Sequence, residues 1–167
     1  MTVGVLFVCH ANLCRSPLAE GIFAHHVRAR GLADRFVIDS AGCWAADGAS
    51  PHPHSVEVAA RHGIDLPALV GRSRGVVPDD LHRFDHVLAM DRANLDDLQR
   101  LQRLSAFGPV QGGKARVRLL RHVVDPKAQG SDADVPDPVR RGIEAYEHVF
   151  AILERACVGL LDELPTP

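Results

Sequence analysis

The stretch VGVLFVCHANLCRSP, residues 3–17, most constrains what this chain can become. Val3 to Val8 is continuous, β-branched and aromatic, the pattern of a strand buried on both faces. It runs straight into Cys9. Ser16 followed by Pro17 then reads as an N-cap and a first helical position. Behind it Ala19, Ile22, Phe23, Val27 and Arg30 share one helical face, and Gly31 is a natural stop. A buried strand feeding a helix after so short a loop is the opening of a β-α-β unit.

The rest of the chain repeats the alternation. RFVIDS (35–40) is a second strand candidate, followed by a Gly-, Ala- and Pro-rich loop and a helix from about Ser55 to His62 that ends at Gly63. HVLAMD (86–91) is a third strand, and Leu95, Leu98, Leu101 and Leu104 mark one side of the helix after it. ARVRLL (115–120) is the fourth strand candidate. A final helix is expected to begin near Asp137 and Pro138, with an apolar stripe from Ile143 through Tyr146, Phe150, Leu153 and Cys157 to Leu164. The expected fold is a doubly wound α/β domain with a mostly four-stranded parallel sheet and helices on both faces. No linker or repeat divides residues 1–167, which form a single expected domain.

In such sheets ligands bind beyond the carboxyl ends of the strands, where Cys9 falls. Cys9 to Arg15 spans C-x5-R, with the helix immediately behind. A loop of that length can curl until its N–H groups converge, and the positive end of the helix dipole adds to them. Arg15 contributes a planar fork suited to two phosphate oxygens. Donors that favour a bound oxyanion also favour a thiolate at the bottom of the cradle. The arrangement suits attack on phosphorus by sulphur. The bland alternative is a buried strand-end cysteine beside a surface arginine.

Charge narrows the partners. Nineteen Lys and Arg against 21 Asp and Glu give a formal net charge of −2 with no long basic run. Nucleic acid and anionic membranes are therefore not expected partners. No apolar segment approaches the roughly 18 residues of a membrane span, and Val3 to Val8 is too short for a signal peptide's apolar region. A cytoplasmic location is expected, in which the four cysteines are thiols rather than a disulfide framework. HPH (52–54) and His25-His26 lack carboxylate or cysteine partners at ligand spacing, so they read as surface histidines and no metal is expected.

VCHANLCRSP resembles the signature C-x-G-N-x-C-R-[ST]-P of the low-molecular-weight protein tyrosine phosphatases. The likeness extends through SAG (40–42), HVLAMDRANL (86–95) and VPDPVRRGIEAYEHVF (135–150), the last similar to the bacterial, exopolysaccharide-associated branch. The resemblance implies Cys9 as nucleophile, Arg15 as phosphate clamp and Ser16 as donor to the thiolate. It also implies Asn12 as the residue holding the loop's curl, with His10, Ala11, Leu13 and Cys14 completing the phosphate-binding loop. Asp137 would be the general acid and base, although Asp before Pro is also an ordinary helix N-cap. No cofactor is implied. The substrate would be a phosphotyrosine protein, a bacterial tyrosine autokinase among the candidates. A monomer is the default expectation.

Some residues depart from the family pattern. Ala11 replaces the usual glycine, and the expectation is a negative φ there and a loop of normal shape. Val139 and Arg140 replace tandem tyrosines, so no tyrosine-phosphorylation switch is expected beside Asp137. Leu13 stands where phosphoarginine-specific relatives tend to have threonine, which favours phosphotyrosine. Trp44 is either a wall of the slot for the substrate's ring or a tryptophan packed on its loop. Arg72 and Arg74 compete for one family arginine. The resemblance also implies a reversible Cys9–Cys14 disulfide that would protect the nucleophile, and Cys157 reads as core. Thioredoxin-coupled arsenate reductase, which shares the fold, needs two further cysteines after the third strand, and residues 79–110 have none. A catalytically silent phosphate-binding module is the other alternative.

Overall fold

Strand β1 (Val3–Cys9) is apolar throughout because both of its faces are covered. Val5, Phe7 and Cys9 enter one hydrophobic core, while Leu6 and Val8 enter the other. The structure, a computed structural model, describes residues 1–106 and 113–165. Beside β1 lie β2 (Phe36–Gly42), β3 (His86–Ala89) and β4 (Arg116–Leu119), all parallel, in the order β2-β1-β3-β4. Period-two alternation continues in β3, where Val87 and Ala89 face one core and Leu88 the other.

Helix α1 (Arg15–Ala29), α2 (Pro53–Arg61) and α6 (Ile143–Glu163) cover one face of the sheet. The other is covered by α4 (Asp80–Arg83) and α5 (Arg92–Ser105), which contribute Leu81 and Leu98. A one-turn helix, α3 (Leu66–Leu69), closes the loop after α2. Helix α1 lies against the sheet, α2, α3 and α6 at once, so every residue from Arg15 to Ala24 is buried. Ile22 and Phe23 are fully buried, each worth about 1.5–3 kcal/mol of apolar transfer. Gly31 ends the helix at a φ of 69°. Among the described residues no helix is long and apolar enough to cross a membrane.

Two helix starts and one helical face differ from expectation. Helix α1 starts at Arg15 with Cys14 in the N-cap position, so Ser16 lies inside the first turn rather than capping it. Pro17 is tolerated there because first-turn N–H groups have no intrahelical partner. Helix α6 starts at Ile143, not near Asp137. The chain turns first: the Arg141 N–H donates to the Pro138 carbonyl at 3.0 Å, and Arg140 has a φ of 62°. Of the four α5 leucines, Leu98 is fully buried and Leu104 is 65% exposed. Residues three apart step back about 60° around a helix at each repeat, so the fourth leaves the face.

Candidate active site

The connections leaving β1 carry the chain to β2 on one side and, later, to β3 on the other. A crevice therefore opens at the carboxyl end of β1, where such sheets bind ligands. Cys9 is the last residue of β1 and is paired with Gly42 at the end of β2. A Cβ on Gly42 would lie 2.6 Å from the His10 carbonyl oxygen and 2.9 Å from the Asn12 nitrogen. Only glycine lets β2 approach the loop this closely.

Between Cys9 and α1 the backbone curls through Asn12, whose φ is 56°. Asparagine tolerates this region because its side chain bonds locally. Ala11 is not among the positive-φ residues, as expected, so the missing glycine leaves no strain there. Carbonyls of the loop are engaged from outside. Cys43 N–H donates to Cys9 O and Trp44 N–H to His10 O, both at 2.9 Å. His52 N–H donates to Leu13 O at 2.8 Å, and the Ser55 hydroxyl to Cys14 O at 3.2 Å. Carbonyls held outward are the condition for N–H groups to converge inward on an anion.

Cys9 Sγ lies 3.0 Å from Ser16 Oγ. Asn12 Nδ2 donates to Ser16 Oγ at 2.9 Å and to Ser40 Oγ at 3.0 Å, while Asn12 Oδ1 accepts the Arg74 N–H at 3.0 Å. The Ser40 hydroxyl donates to Glu20 Oε2 at 2.5 Å. A buried chain of hydrogen bonds thus runs from Glu20 to Cys9, and its closure is what makes burial of these polar groups tolerable.

Burial, reinforced by Asp39, pushes the Glu20 carboxyl up to about 8 against the opposing Ser40 bond and Arg74 charge. A carboxyl raised on folding stabilises the fold most below its ordinary value of 4.5, and that contribution is lost as pH rises through about 8. Glu20→Gln keeps an acceptor for Ser40 and removes the charge. It is expected to flatten the pH dependence of stability between these limits and to stabilise the protein at pH 8 by a few kcal/mol. Urea unfolding of both proteins at pH 5 and pH 8 is the check; parallel pH profiles would overturn it.

Arg15 is 2% exposed. Its Nη1 donates to Asp91 Oδ2 at 2.7 Å and to the Val135 carbonyl at 3.0 Å. Nη2 lies 3.6 Å from Asp137 Oδ2. Although burial opposes its charge, Cys9, Asp91 and Asp137 together hold the guanidinium protonated. Asp91 also caps α5, accepting the Asn94 N–H at 2.8 Å. Asp91→Ala removes the cap and leaves a buried cation without its nearest partner, an expected loss of about 3–5 kcal/mol. Asp91→Asn, which keeps an acceptor, should lose less. Urea midpoints of the two variants decide it.

Asp137 sits in a turn rather than at a helix start, its Oδ1 accepting the Val139 N–H at 3.1 Å. Its carboxyl is thereby free of the N-cap role and is half-exposed above Arg15. A cavity of about 110 Å³ has its floor between Cys9 and Arg15 and its walls at His52, Asp137 and Val139. Cys9, Arg15 and Asp137, expected together, line one space. His10, Ala11, Leu13 and Cys14 line it too, while Asn12 and Ser16 stand behind it.

Trp44 is not part of that space. Its indole Nε1 donates to Asp97 at 3.1 Å, the side chain is 68% exposed, and it lines a separate groove with Val76 and Leu101. The ring-slot reading is corrected: the hydrogen bond to α5 turns the indole away. His52, read as a surface histidine, is half-buried and lines the cavity instead. Cys9 and Cys14 are both free thiols. Cys14 Sγ lies 3.4 Å from Tyr146 Oη, and burial raises its thiol above the ordinary value despite that bond. Arg74 is clamped by Asp39 and Asp80 at 2.9 Å each beneath the loop, whereas Arg72 only touches Gly48 and Ser50. Asp91, Ser40 and Glu20 were missed. The signal for the first two was their place at carboxyl ends of strands; Glu20 had none beyond its place in the first helix.

A model of the family described as low molecular weight phosphotyrosine protein phosphatase matches residues 4–166. A Streptomyces coelicolor low molecular weight protein-tyrosine-phosphatase is 38% identical, over 96% of this chain and 93% of that one. The crystal structure of YfkJ from Bacillus subtilis superposes with a TM-score of 0.81 at 31% identity, covering 97% of this chain and 94% of that one. A Drosophila arginine phosphatase gives a TM-score of 0.82 at 27% identity, covering 97% and 98%. Matched over almost its whole length, the chain belongs to the low molecular weight phosphotyrosine protein phosphatase family.

Proposed function

We propose that the chain hydrolyses phosphotyrosine in proteins in two steps through a phosphocysteine on Cys9. The observation that carries this reading is the meeting of Cys9, Arg15 and Asp137 in one cavity. The loop N–H groups and the Arg15 fork hold the phosphoryl oxygens, and the Cys9 thiolate attacks phosphorus. As the S–P bond forms the P–O bond to the ring breaks, and Asp137 in its carboxylic form gives its proton to the departing phenolic oxygen. Asp137, now a carboxylate, takes a proton from water, which attacks phosphorus. The S–P bond breaks, phosphate leaves and the thiolate returns. Ser16, 3.0 Å from the sulphur, donates to the thiolate as leaving group. Nucleophile, clamp and proton donor all being side chains, this sequence of steps uses no metal or cofactor.

The proposed setting is the cytoplasm, where free thiols are maintained, with the enzyme acting as a monomer. A bacterial tyrosine autokinase is the proposed substrate protein, on the likeness of residues 135–150 to the exopolysaccharide-associated branch. The Drosophila neighbour raises phosphoarginine as a second reading; Leu13 in the cavity wall favours the flat, apolar ring of tyrosine over guanidine. Phosphate release by the reduced protein in EDTA from matched phosphotyrosyl and phosphoarginyl peptides is the test. Preference for the first supports the proposal, preference for the second replaces it, and no release from either refutes both.

A further inference from the structure

A phosphotyrosine seated with its phosphate on the loop must lay its ring against the cavity wall. Outside the loop that wall consists of His52, Asp137 and Val139. Asp137 has to face the ester oxygen, and Val139 offers only methyl groups. With Trp44 bonded to Asp97 outside the cavity, His52 is, among the described residues, the one wall residue outside the phosphate loop with a flat π face. Aromatic rings stack on such faces in offset geometry.

His52 is also held ready. Its backbone N–H donates to Leu13 O at 2.8 Å, tying it to the phosphate loop. Its Nδ1 accepts the His54 N–H at 3.1 Å, capping α2. The imidazole stacks on Tyr146 with centroids 5.1 Å apart and planes inclined by 23°. Tyr146 itself is fully buried, with its hydroxyl 3.4 Å from Cys14 Sγ. Because Nδ1 accepts a bond, the neutral ring carries its proton on Nε2. Burial, together with the neighbouring His54, holds His52 below the ordinary histidine value, so the ring remains uncharged near neutrality.

We propose that His52, backed by Tyr146, is the residue against which this chain seats the aromatic ring of its substrate. The inference rests on the phosphatase reading above and adds the residue that selects for an aryl group. It also explains how the site works without Trp44 and without an aromatic residue at 139.

The test uses Cys9→Ser protein, which binds without turning over, and calorimetric affinities for phosphotyrosine and for inorganic phosphate, a ligand with no ring. His52→Asn keeps an acceptor for the His54 N–H and deletes the ring. His52→Phe restores a ring and loses the acceptor. In the Cys9→Ser background His52→Asn is expected to weaken phosphotyrosine binding about 5- to 10-fold, to leave phosphate binding within about twofold, and to be rescued by His52→Phe. Equal weakening of both ligands would show that His52 only supports the loop, and no weakening would remove it from the substrate's path; either result overturns the inference alone. Failure of the Cys9→Ser protein to bind phosphotyrosine would sink the phosphatase reading and the inference with it.

Discussion

Replacing Cys9 by serine is expected to lower turnover of p-nitrophenyl phosphate by at least about 10⁴-fold with the fold intact. Serine is nearly isosteric and can still bond to Ser16, which lies 3.0 Å away. What it lacks is a readily ionised nucleophile, because an alkyl hydroxyl is intrinsically far less acidic than a thiol, and the thiolate is the attacking form. Inorganic phosphate should still bind, since the loop N–H groups and Arg15 remain. The reduced unmutated enzyme should turn over at the same rate in EDTA. Activity surviving in Cys9→Ser would remove Cys9 as nucleophile, and activity lost to EDTA would point to a metal-assisted reaction instead.

The second large effect belongs to Asp137. Asp137→Asn is expected to lower kcat on phosphotyrosine by about 10²–10⁴-fold, because a phenolate with a conjugate-acid pKa near 10 leaves poorly without a proton. The loss should be much smaller for p-nitrophenyl phosphate, whose leaving group is stable as an anion. The side chain is 46% exposed and its nearest cation is 3.6 Å away, so stability should change by no more than about 0.5 kcal/mol. Single-turnover rates across a series of phenols of rising basicity decide the matter. A deficit of the same size for every phenol would show that Asp137 positions substrate or Arg15 without delivering the proton.

These two residues also mark how far the chain could be read before its structure was known. Cys9 was legible because everything that defines it is local: a buried strand before it, a short loop, and a helix behind. Its neighbours Asn12 and Ser16 came with it through the motif. Asp137 was ambiguous for a physical reason. Asp before Pro caps a helix as readily as it serves a cavity; here the chain passes through Arg140 at a φ of 62° and an extended Gly142 before α6 starts at Ile143. The same kind of ambiguity misplaced Ser16 as a cap. Cys14 holds the N-cap position without a side-chain bond, which releases the Ser16 hydroxyl to Cys9.

Side chains on long loops were the hardest to place. Trp44 and His52 lie on the same stretch between β2 and α2, and nothing in their spacing says which faces the cavity. The choice is made elsewhere: Asp97 on α5 draws the indole outward, while Leu13 and Tyr146 hold the imidazole in. Asp91 and Glu20 escaped notice for a related reason, since a carboxyl acquires its role from a partner far along the chain.

By itself the sequence determined the alternation of strands and helices, the sulphur at the end of β1 and the curled loop behind it, because periodicity, turn chemistry and motif spacing act over a few residues. Only the tertiary structure decided that Asp137 stands over Arg15, that Asp91 anchors that arginine, and that His52 rather than Trp44 walls the site. Those outcomes depend on which distant elements pack together, and packing is a property of the whole core rather than of any segment.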